Sequence, residues 1–347
     1  MKNFTRLLFA VLLAQNLASA QSATLLALSK DDLMLAIVDP ASLKVLGRVP
    51  VGQDPHEVIA SDDGKLAYVS NYGGGSLNTI AVIDLVNQKA LAPIDLGPLR
   101  GAHGLTYVGG KLWFTAEGAK VIGSYDPATH KIDWVLGTGQ DRTHMIFVSQ
   151  DQQHIFTSNV SSATVSIIEK VTRAGPGGPP PGQRKGGGPK GPPPGPRSDW
   201  EQTVIGVGRG AEGFDVSPDG KEIWAANAQD GTISVIDLAG KKVTQTLNAD
   251  VGGANRLKFT LDGKHVLVST LRGGDLTVLD AGTRQVVKRV PIGHGAAGIL
   301  MHPDGSRAYV SCGPDNYVAI IDLKSLEVTG HIDVGGQPDG LAWAVRR

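Results

Sequence analysis

The 347-residue chain contains one cysteine, Cys312, so no disulfide bond can form within it. Beyond its first twenty residues it has no apolar run approaching the roughly 20 residues that a membrane-spanning helix needs. It also has no excess of charge, because 33 basic residues balance 33 acidic ones. These absences exclude a disulfide-stabilised scaffold, and they predict neither a membrane span nor a nucleic-acid partner.

Two common catalytic and cofactor motifs are missing as well. The sequence has no Gly-x-Ser-x-Gly nucleophile elbow and no Cys-x-x-Cys-His haem attachment site. No long catalytic motif therefore assigns an activity, and function has to be inferred from residues that the chain's repeats bring together.

The first twenty residues follow the pattern of a secretory signal peptide. Lys2 and Arg6 give a basic start, an apolar run follows at residues 7–13, and Ala18-Ser19-Ala20 is a small-residue cleavage site. The run is too short to span a bilayer, and no cysteine follows the site as it would in a lipoprotein. We therefore predict a periplasmic or secreted protein whose mature chain, residues 21–347, is a single domain.

Acidic residues mark a repeat along the mature chain. Each closes a short apolar run, as in Val82-Ile83-Asp84 and Ile320-Ile321-Asp322. The seven are Asp39, Asp84, Asp126, Glu169, Asp237, Asp280 and Asp322, separated by 45, 42, 43, 68, 43 and 42 residues. A period near 42 residues, with β-branched runs and Gly-rich turns, predicts four-stranded units arranged as a β-propeller. The one long gap predicts an insertion in one unit.

Each repeat opens with an innermost strand that ends in a tight turn. Asp-Gly turns recur at Asp219-Gly220 and Asp304-Gly305, and this pair favours hairpins because glycine accepts a positive φ. A second strand follows, as in Tyr68-Val69-Ser70-Asn71. This strand, the Pro-Asp-Gly turns and the Val-Ile-Asp strands resemble the repeat of YVTN-type β-propellers over nearly all of the mature chain. The resemblance implies an exported protein with a binding or scaffolding role.

The two ends of the mature chain predict how the ring closes. Residues 23–50 supply three outer strands without an innermost one, and residues 336–343 supply an innermost strand without outer ones. Together they complete one blade, which turns six internal repeats into seven blades and leaves no exposed sheet edge at the closure. We predict an all-β, seven-bladed propeller of four-stranded antiparallel blades.

The insertion, residues 174–198, is rich in proline, glycine and basic residues. Its core, residues 175–196, has no apolar side chain to bury and no strict three-residue period, so we expect a disordered or polyproline-like segment rather than collagen. It should separate a third strand that ends near Val171 from a fourth that starts near Glu201. Both a solvated loop and a basic tether for an acidic partner remain open as interpretations.

Aligning the innermost strands places one residue of each blade at the mouth of the central channel. In blade order these ring residues are Asp339, His56, His103, His144, Glu212, Asn255 and Ala297. Six of them are potential metal ligands or acid–base groups. Convergent imidazoles beside carboxylates suit a divalent transition metal, so His56, His103 and His144 are the candidate metal ligands. Arg142 and Arg256 lie near the same face and would favour an anion.

Two classes of function remain open. The favoured one is a monomeric, non-catalytic binding protein that takes a small molecule or a protein at the channel mouth. Its predicted ligand-binding residues are His56, His103, His144, Glu212, Asn255, Asp339, Arg142 and Arg256. The alternative is a metal-dependent enzyme, because the ring is similar in kind to those of lactonase-type hydrolases and streptogramin lyases. That resemblance implies His144 and Glu212 as catalytic residues. A polar channel filled only with water is the structural alternative to both.

Overall fold

The computed structural model describes residues 23–173 and 197–346, which are almost entirely β-strand and turn. Their strands form seven separate antiparallel sheets, and two short 3-10 helices lie at Gly73–Gly75 and Glu117–Ala119. The predicted signal peptide and the core of the predicted insertion lie outside the described residues. In the part of the chain that is described, no helix has the length and apolar character needed to cross a membrane.

Each sheet is one blade, whose strands follow one another from the channel outward. Blade 1 is β29 (Pro338–Val345), β1 (Ala23–Ser29), β2 (Met34–Val38) and β3 (Val45–Pro50). Blade 2 is β4 (Pro55–Ala60), β5 (Leu66–Asn71), β6 (Thr79–Asp84) and a broken outer strand, β7 (Lys89–Ala90) and β8 (Ile94–Asp95). Blade 3 is β9 (Ala102–Val108), β10 (Lys111–Ala116), β11 (Val121–Asp126) and β12 (Lys131–Gly137). Blade 4 is β13 (Thr143–Val148), β14 (His154–Asn159), β15 (Thr164–Arg173) and β16 (Arg197–Gly206).

The remaining three blades are regular. Blade 5 is β17 (Ala211–Val216), β18 (Glu222–Asn227), β19 (Thr232–Asp237) and β20 (Lys242–Asn248). Blade 6 is β21 (Ala254–Phe259), β22 (His265–Thr270), β23 (Asp275–Asp280) and β24 (Gln285–Pro291). Blade 7 is β25 (Ala296–Met301), β26 (Arg307–Cys312), β27 (Tyr317–Asp322) and β28 (Glu327–Ile332). The prediction of seven four-stranded blades is confirmed.

The two ends of the chain close the ring within blade 1, as the repeat pattern predicted. β29 pairs antiparallel with β1, with Leu341 opposite Ala27 and Trp343 opposite Leu25. The innermost strand of the closing blade thus comes from the C-terminal end and its three outer strands from the N-terminal end. Because the four strands share one sheet, separating the two ends would expose two sheet edges at once.

The apolar core lies between neighbouring blades. The four central residues of most second and third strands are fully buried, since each blade packs against a neighbour on both faces. Trp224 of blade 5, for example, meets Phe259 of blade 6 with ring centroids 5.5 Å apart. Burying a large apolar side chain contributes roughly 1.5–3 kcal/mol. Cys312 is also buried, and burial raises the pKa of its thiol to about 12, so the thiol stays protonated.

The hairpin that leads into the insertion is longer than the sequence predicted. β15 and β16 have ten residues each, and their pairing continues out to Arg173 opposite Arg197. Arg197 and Ser198 therefore belong to a strand, which corrects the predicted boundary of the insertion at residue 198. Cross-strand contacts extend the hairpin, such as Lys170 lying 5.9 Å from the ring centroid of Trp200.

Candidate functional site

Every innermost strand leaves ladder pairing close to its start. β4 pairs with β5 at Pro55 and again at Val58, so His56 and Glu57 lie outside the ladder. The same irregularity recurs in all seven blades. A bulge of this kind re-aims side chains, and in this propeller it presents the seven predicted ring residues to one pocket at the channel mouth.

Hydroxyl groups on four of the second strands each bind the bulge of the following blade. Ser311 Oγ of blade 7 donates a hydrogen bond of 2.6 Å to the main-chain carbonyl of Asp339 in blade 1. Equivalent bonds run from Thr115, Ser158 and Ser269 to the carbonyls of His144, Glu212 and Ala297. The main chain of each of these ring residues is therefore held by its neighbour, whatever side chain the ring residue carries.

The pocket has a volume of about 320 Å³, and all seven blades contribute to its lining. Around most of the circumference the lining is charged or polar: Lys30, His56, Tyr72, His103, Arg142, His144, Glu212, Asn255, Arg256 and Asp339. The remaining wall, near blade 7, consists of Leu271, Gly295, Ala297, Gly313 and Pro314. A larger cavity of about 680 Å³ lies between blades 2 and 3, but no ring residue lines it.

His144 is buried between two carboxylates. Its Nδ1 lies 2.5 Å from Glu117 Oε1, and its Nε2 lies 3.5 Å from Glu212 Oε1. Burial disfavours the imidazolium, but hydrogen bonding to Glu117 and Glu212 outweighs it and raises the pKa of His144. The pKa of each carboxyl group is lowered in return: burial opposes the shift, and contact with His144 outweighs it. The three groups form one charged unit at the polar wall.

His103 lies beside this unit in a different state. Its ring centroid is 3.8 Å from that of His144, and its Nδ1 finds no hydrogen-bond partner among the described residues. Burial and the neighbouring His144 hold the pKa of His103 well below its usual value, so its imidazole is neutral. A neutral, buried ring nitrogen without a partner is available to an incoming donor or metal ion.

His56 lies next to His103, with ring centroids 5.0 Å apart, but other groups engage it. Lys30 Nζ lies 2.8 Å from its Nε2, and Asp339 Oδ2 lies 3.3 Å from its Nδ1. Burial and the Lys30 charge lower the pKa of His56 to about 4. Asp339 is itself buried, which raises the pKa of its carboxyl group. His56 is thus tied to a lysine and a carboxylate, and it does not converge with the other two imidazoles on one point.

The two arginines predicted for the site occupy different environments. Arg256 lines the pocket but is buried, and its guanidinium pairs with Glu57, three blades away around the ring of seven. Because blades 2 and 6 face each other across the channel, this ion pair bridges it. Arg142 is 43 % exposed, with Nε 3.6 Å from Glu117 Oε2. Of the two, Arg142 is the cation that a ligand can reach.

The structure adds residues that the sequence analysis did not identify. Lys30, Tyr72 and Glu117 all follow the second strand of their blade, and Tyr72 OH donates a 2.6 Å hydrogen bond to Glu117 Oε2. Their position in the loops directly after second strands was the signal available in the sequence. These loops differ in length and conformation, so the repeat could not say which residue of each loop would reach the ring.

Comparison with known proteins supports the fold. The model of the YNCE-like β-propeller family matches residues 196–307, about a third of the chain. A putative 6-phosphogluconolactonase from Bacteroides fragilis NCTC 9343 superposes with a TM-score of 0.71 at 16% identity, covering 94% of this chain and 98% of that one. A functionally unknown protein from Desulfotomaculum acetoxidans DSM 771 gives 0.70 at 14%, covering 91% and 98%. Kuenenia stuttgartiensis hydrazine synthase gives 0.65 at 19%, covering 84% and 90%.

These likenesses define the class of protein. The chain is a seven-bladed β-propeller, and the family match together with the ring confirms its resemblance to YVTN-type propellers. No curated protein matches the chain. The structural neighbours carry different descriptions at identities below 20%, so they support the architecture and assign no activity.

Proposed function

We propose that this propeller is a binding protein whose channel-mouth pocket takes a small molecule with a polar end and an apolar side. The observation that carries the proposal is the asymmetry of the pocket. Its polar wall offers donors and acceptors of both charges, whereas Leu271, Ala297 and Pro314 leave a low, apolar wall opposite. Pockets of roughly 300–1,000 Å³ are typical of small-molecule sites, and this one lies near the lower bound at about 320 Å³.

Polar atoms without hydrogen-bond partners support the proposal that the pocket binds a ligand. Asn255 Oδ1 and His103 Nδ1 are buried and have no hydrogen-bond partner within the described chain. A buried polar atom without a partner costs about 1–3 kcal/mol. A ligand that donates hydrogen bonds to these atoms would recover that free energy on binding.

The test is a binding screen against the wild-type protein and a variant with a filled pocket. A panel of hydroxy acids, amino acids, amines, sugars and lactones would be screened by thermal shift, and hits titrated by calorimetry. Ala297→Trp should abolish binding because the indole occupies the apolar side of the pocket. Ala41→Trp, at an exposed turn outside the pocket, is the matched control and should bind as the wild type does.

Two results would overturn the proposal. One is a panel in which no compound binds more tightly than a millimolar dissociation constant. The other is equal binding by wild-type protein and Ala297→Trp, which would locate the ligand elsewhere on the molecule.

A hydrolase or lyase that uses the same ring is the second candidate, and one contact favours it. Glu117 holds His144 Nδ1 at 2.5 Å, an arrangement that orients an imidazole for general acid–base work at its other nitrogen. Any panel lactone that the wild type turns over should be tested with His144→Gln and Glu212→Gln. Loss of turnover with retained binding and folding would favour the enzyme; absence of turnover for every lactone that binds would exclude lactone hydrolysis.

We also propose that the protein acts outside the cytoplasm. The support is the basic start, short apolar run and cleavage site at residues 1–20. Cell fractionation followed by N-terminal sequencing tests it directly. A mature protein that begins at Gln21 in the exported fraction is expected, and a full-length chain in the cytoplasm would contradict it.

A further inference from the structure

Three buried side chains of metal-binding type meet on the polar wall of the pocket. One ligating atom from each of His103, Glu117 and His144 lies within 4.8 Å of the other two. The residues come from β9, from the 3-10 turn after β10 and from β13. Their exposed fractions are 2%, 6% and 2%. Burial matters because exposed acidic and imidazole groups cluster on many protein surfaces with no ion, whereas buried ones need partners.

One of these residues has a ring nitrogen without a partner. Nδ1 of His103 is buried and unbonded to any described residue, whereas His144 has Glu117 at Nδ1 and Glu212, 3.5 Å away, at Nε2. Native proteins leave few buried polar side-chain atoms unpaired, and the ring centroid of His103 lies 3.8 Å from that of His144. A cation that takes the place of the proton between His144 Nδ1 and Glu117 could accept a lone pair from each imidazole.

The surroundings carry negative charge and are preorganised. Glu117 and Glu212 flank His144 on its two sides, and Tyr72 OH fixes the second oxygen of Glu117 at 2.6 Å. Asn255 Nδ2 donates to Glu212 Oε1 at 3.2 Å. Tyr72 and Asn255 are neutral donors, so they orient the two carboxylates without adding positive charge. Arg142, the basic group facing Glu117, stands 3.6 Å away and is partly exposed.

We propose that His103, His144 through Nδ1, and Glu117 bind one divalent transition-metal ion, with Glu212 beside Nε2 as the carboxylate that orients His144 from outside the coordination sphere. This inference rests on the proposed function, because the ion would present an open coordination position to a ligand in the same pocket. Two imidazoles and one carboxylate form a ligand set suited to zinc and its neighbours among the first-row metals, and not to magnesium or calcium, which prefer oxygen ligands.

The ligand set differs from the three histidines that the ring alignment predicted. His56 is replaced by Glu117 because Lys30 Nζ lies 2.8 Å from its Nε2 and 3.5 Å from Asp339 Oδ2. A fixed ammonium group beside an imidazole repels a second cation. The ion therefore belongs on the side of blades 3 and 4, where carboxylates surround the imidazoles.

The experiment is metal binding to the mature protein produced without a polyhistidine tag and freed of metal with a chelator. Zn²⁺ alone would be titrated by calorimetry, and bound zinc measured by elemental analysis after gel filtration. Co²⁺ would report tetrahedral coordination by its visible absorption. One site per chain is expected. His103→Gln, His144→Gln and Glu117→Gln should each lose the ion, and Glu212→Gln should weaken zinc binding ~10- to 100-fold as the loss of an outer partner does.

Two histidine variants separate this site from its rivals. His56→Gln should keep one zinc per chain, and loss of zinc in this variant with retention in Glu117→Gln would overturn the proposal in favour of the three-histidine site. His154→Gln removes a surface histidine that is 45% exposed and near Glu169; loss of zinc there would show adventitious surface binding. Circular dichroism melting of every variant identifies any that fails to fold.

One measurement needs no variant. Anomalous diffraction from zinc-soaked crystals of the wild-type protein should show a peak between His103, His144 and Glu117, and a peak elsewhere or none would refute the site. If zinc does not bind but panel compounds still bind wild type and not Ala297→Trp, the metal site fails and the proposed function stands. If zinc binds and no compound does, the reverse holds.

Discussion

In blades 2 to 7 the innermost strand starts at the channel mouth and ends at a tight turn on the opposite side of the ring. The blades resemble one another more at the turn than at the channel mouth. At the turn, Ser61, Ser149, Ser217 and Thr260 each donate a side-chain hydrogen bond to an aspartate two residues on, at 2.6–2.7 Å. At the channel mouth, the equivalent positions carry three histidines, an aspartate, a glutamate, an asparagine and an alanine.

This contrast separates residues that build the fold from residues that give it a surface. The turn must reverse the chain in blades 2 to 7, and the same hydrogen bond recurs in four of them. The bulge at the other end is held by the main chain and by second-strand hydroxyls such as Ser311, so its side chains are free to differ. A position that keeps its geometry while its side chain varies is where a repeat protein acquires a particular function.

The largest expected effect on stability comes from an ion pair at the channel mouth, and it tests whether residues there also stabilise the fold. Arg256→Met should lower the free energy of unfolding by about 3 kcal/mol, because it leaves Glu57, whose side chain is only 14% exposed, as an unpaired charge. Urea denaturation followed by tryptophan fluorescence measures it. Arg209→Met is the control: Arg209 is 73 % exposed and pairs with Asp230 at 2.7 Å, so its loss should cost less than about 1 kcal/mol.

Adding Glu57→Gln to Arg256→Met should restore most of the lost stability, since the unpaired charge is then gone. A double variant as unstable as the single one would mean that packing of the arginine stem, and not its charge, holds the channel together.

Two glycines allow the channel-mouth end and the turn end of one blade to be compared directly: Gly213 near the start of β17 and Gly220 in the turn after it. A Cβ on Gly213 would lie 2.6 Å from the Asn255 carbonyl oxygen and from the Arg256 Cα, so Gly213→Ala should cost about 1–3 kcal/mol by overpacking. Gly220 has φ of +70° but nothing within 4 Å of an added Cβ, so Gly220→Ala should cost roughly 1–2 kcal/mol through backbone strain alone.

The two glycine variants should differ most in the pocket. Gly213→Ala displaces the backbone that carries Asn255, so we expect it to weaken binding of zinc and of any panel ligand as well as stability. Gly220→Ala should lower the melting temperature and leave both affinities unchanged. Equal effects of the two variants on affinity would contradict the claim that the channel mouth determines binding whereas the turn affects only stability.

A smaller effect is expected from one second-strand hydroxyl. Ser311→Ala removes the 2.6 Å hydrogen bond to the Asp339 carbonyl and should cost about 1–2 kcal/mol, because a buried acceptor loses its donor. Ser325→Ala, at an exposed turn, should be neutral within about 0.5 kcal/mol. Equilibrium denaturation of both variants measures the free energy of unfolding. A loss in Ser311→Ala that is no larger than in Ser325→Ala would mean that this hydroxyl does not stabilise the ring.

The smallest effect concerns acid. Hydrogen bonds from Ser217 and Thr260 lower the pKa of Asp219 and of Asp262 to about 2, from a usual 3.8. The unfolded chain therefore binds more protons than the folded one between these values, so stability should fall as pH drops from about 4 toward 2. The Asp219→Asn/Asp262→Asn variant should show a flatter loss over this window in acid-titrated thermal melts; an unchanged slope would contradict the assignment.

Much of the architecture could be predicted because it is repetitive. The acid-terminated strands, the Asp-Gly turns and the unpaired ends of the chain defined seven blades and their closure, and the alignment of innermost strands identified every ring position. The hairpin of β15 and β16 was predicted too short, since its outer pairs, such as Arg173 with Arg197, do not belong to the repeat.

The site was predicted in part. The ring residues were identified, but Glu117, Tyr72 and Lys30 were not, because they lie in loops whose lengths vary between blades. Nor could the repeat show that Glu57 and Arg256, 199 residues apart, form an ion pair. Such contacts depend on where seven blades stand around a circle.

The sequence by itself determined the number of blades, their four-stranded form, the closing of the ring and the list of side chains offered to the channel. These follow from local patterns: alternation of apolar residues, turn chemistry and a period of about 42 residues. Only the tertiary structure decided which of those side chains meet. Closing the ring pairs His56 with Lys30 and His144 with Glu117. Burial and the ammonium group lower the pKa of His56, whereas nearby carboxylates overcome burial and raise the pKa of His144. Both shifts depend on groups that only the closed ring brings within a few ångströms.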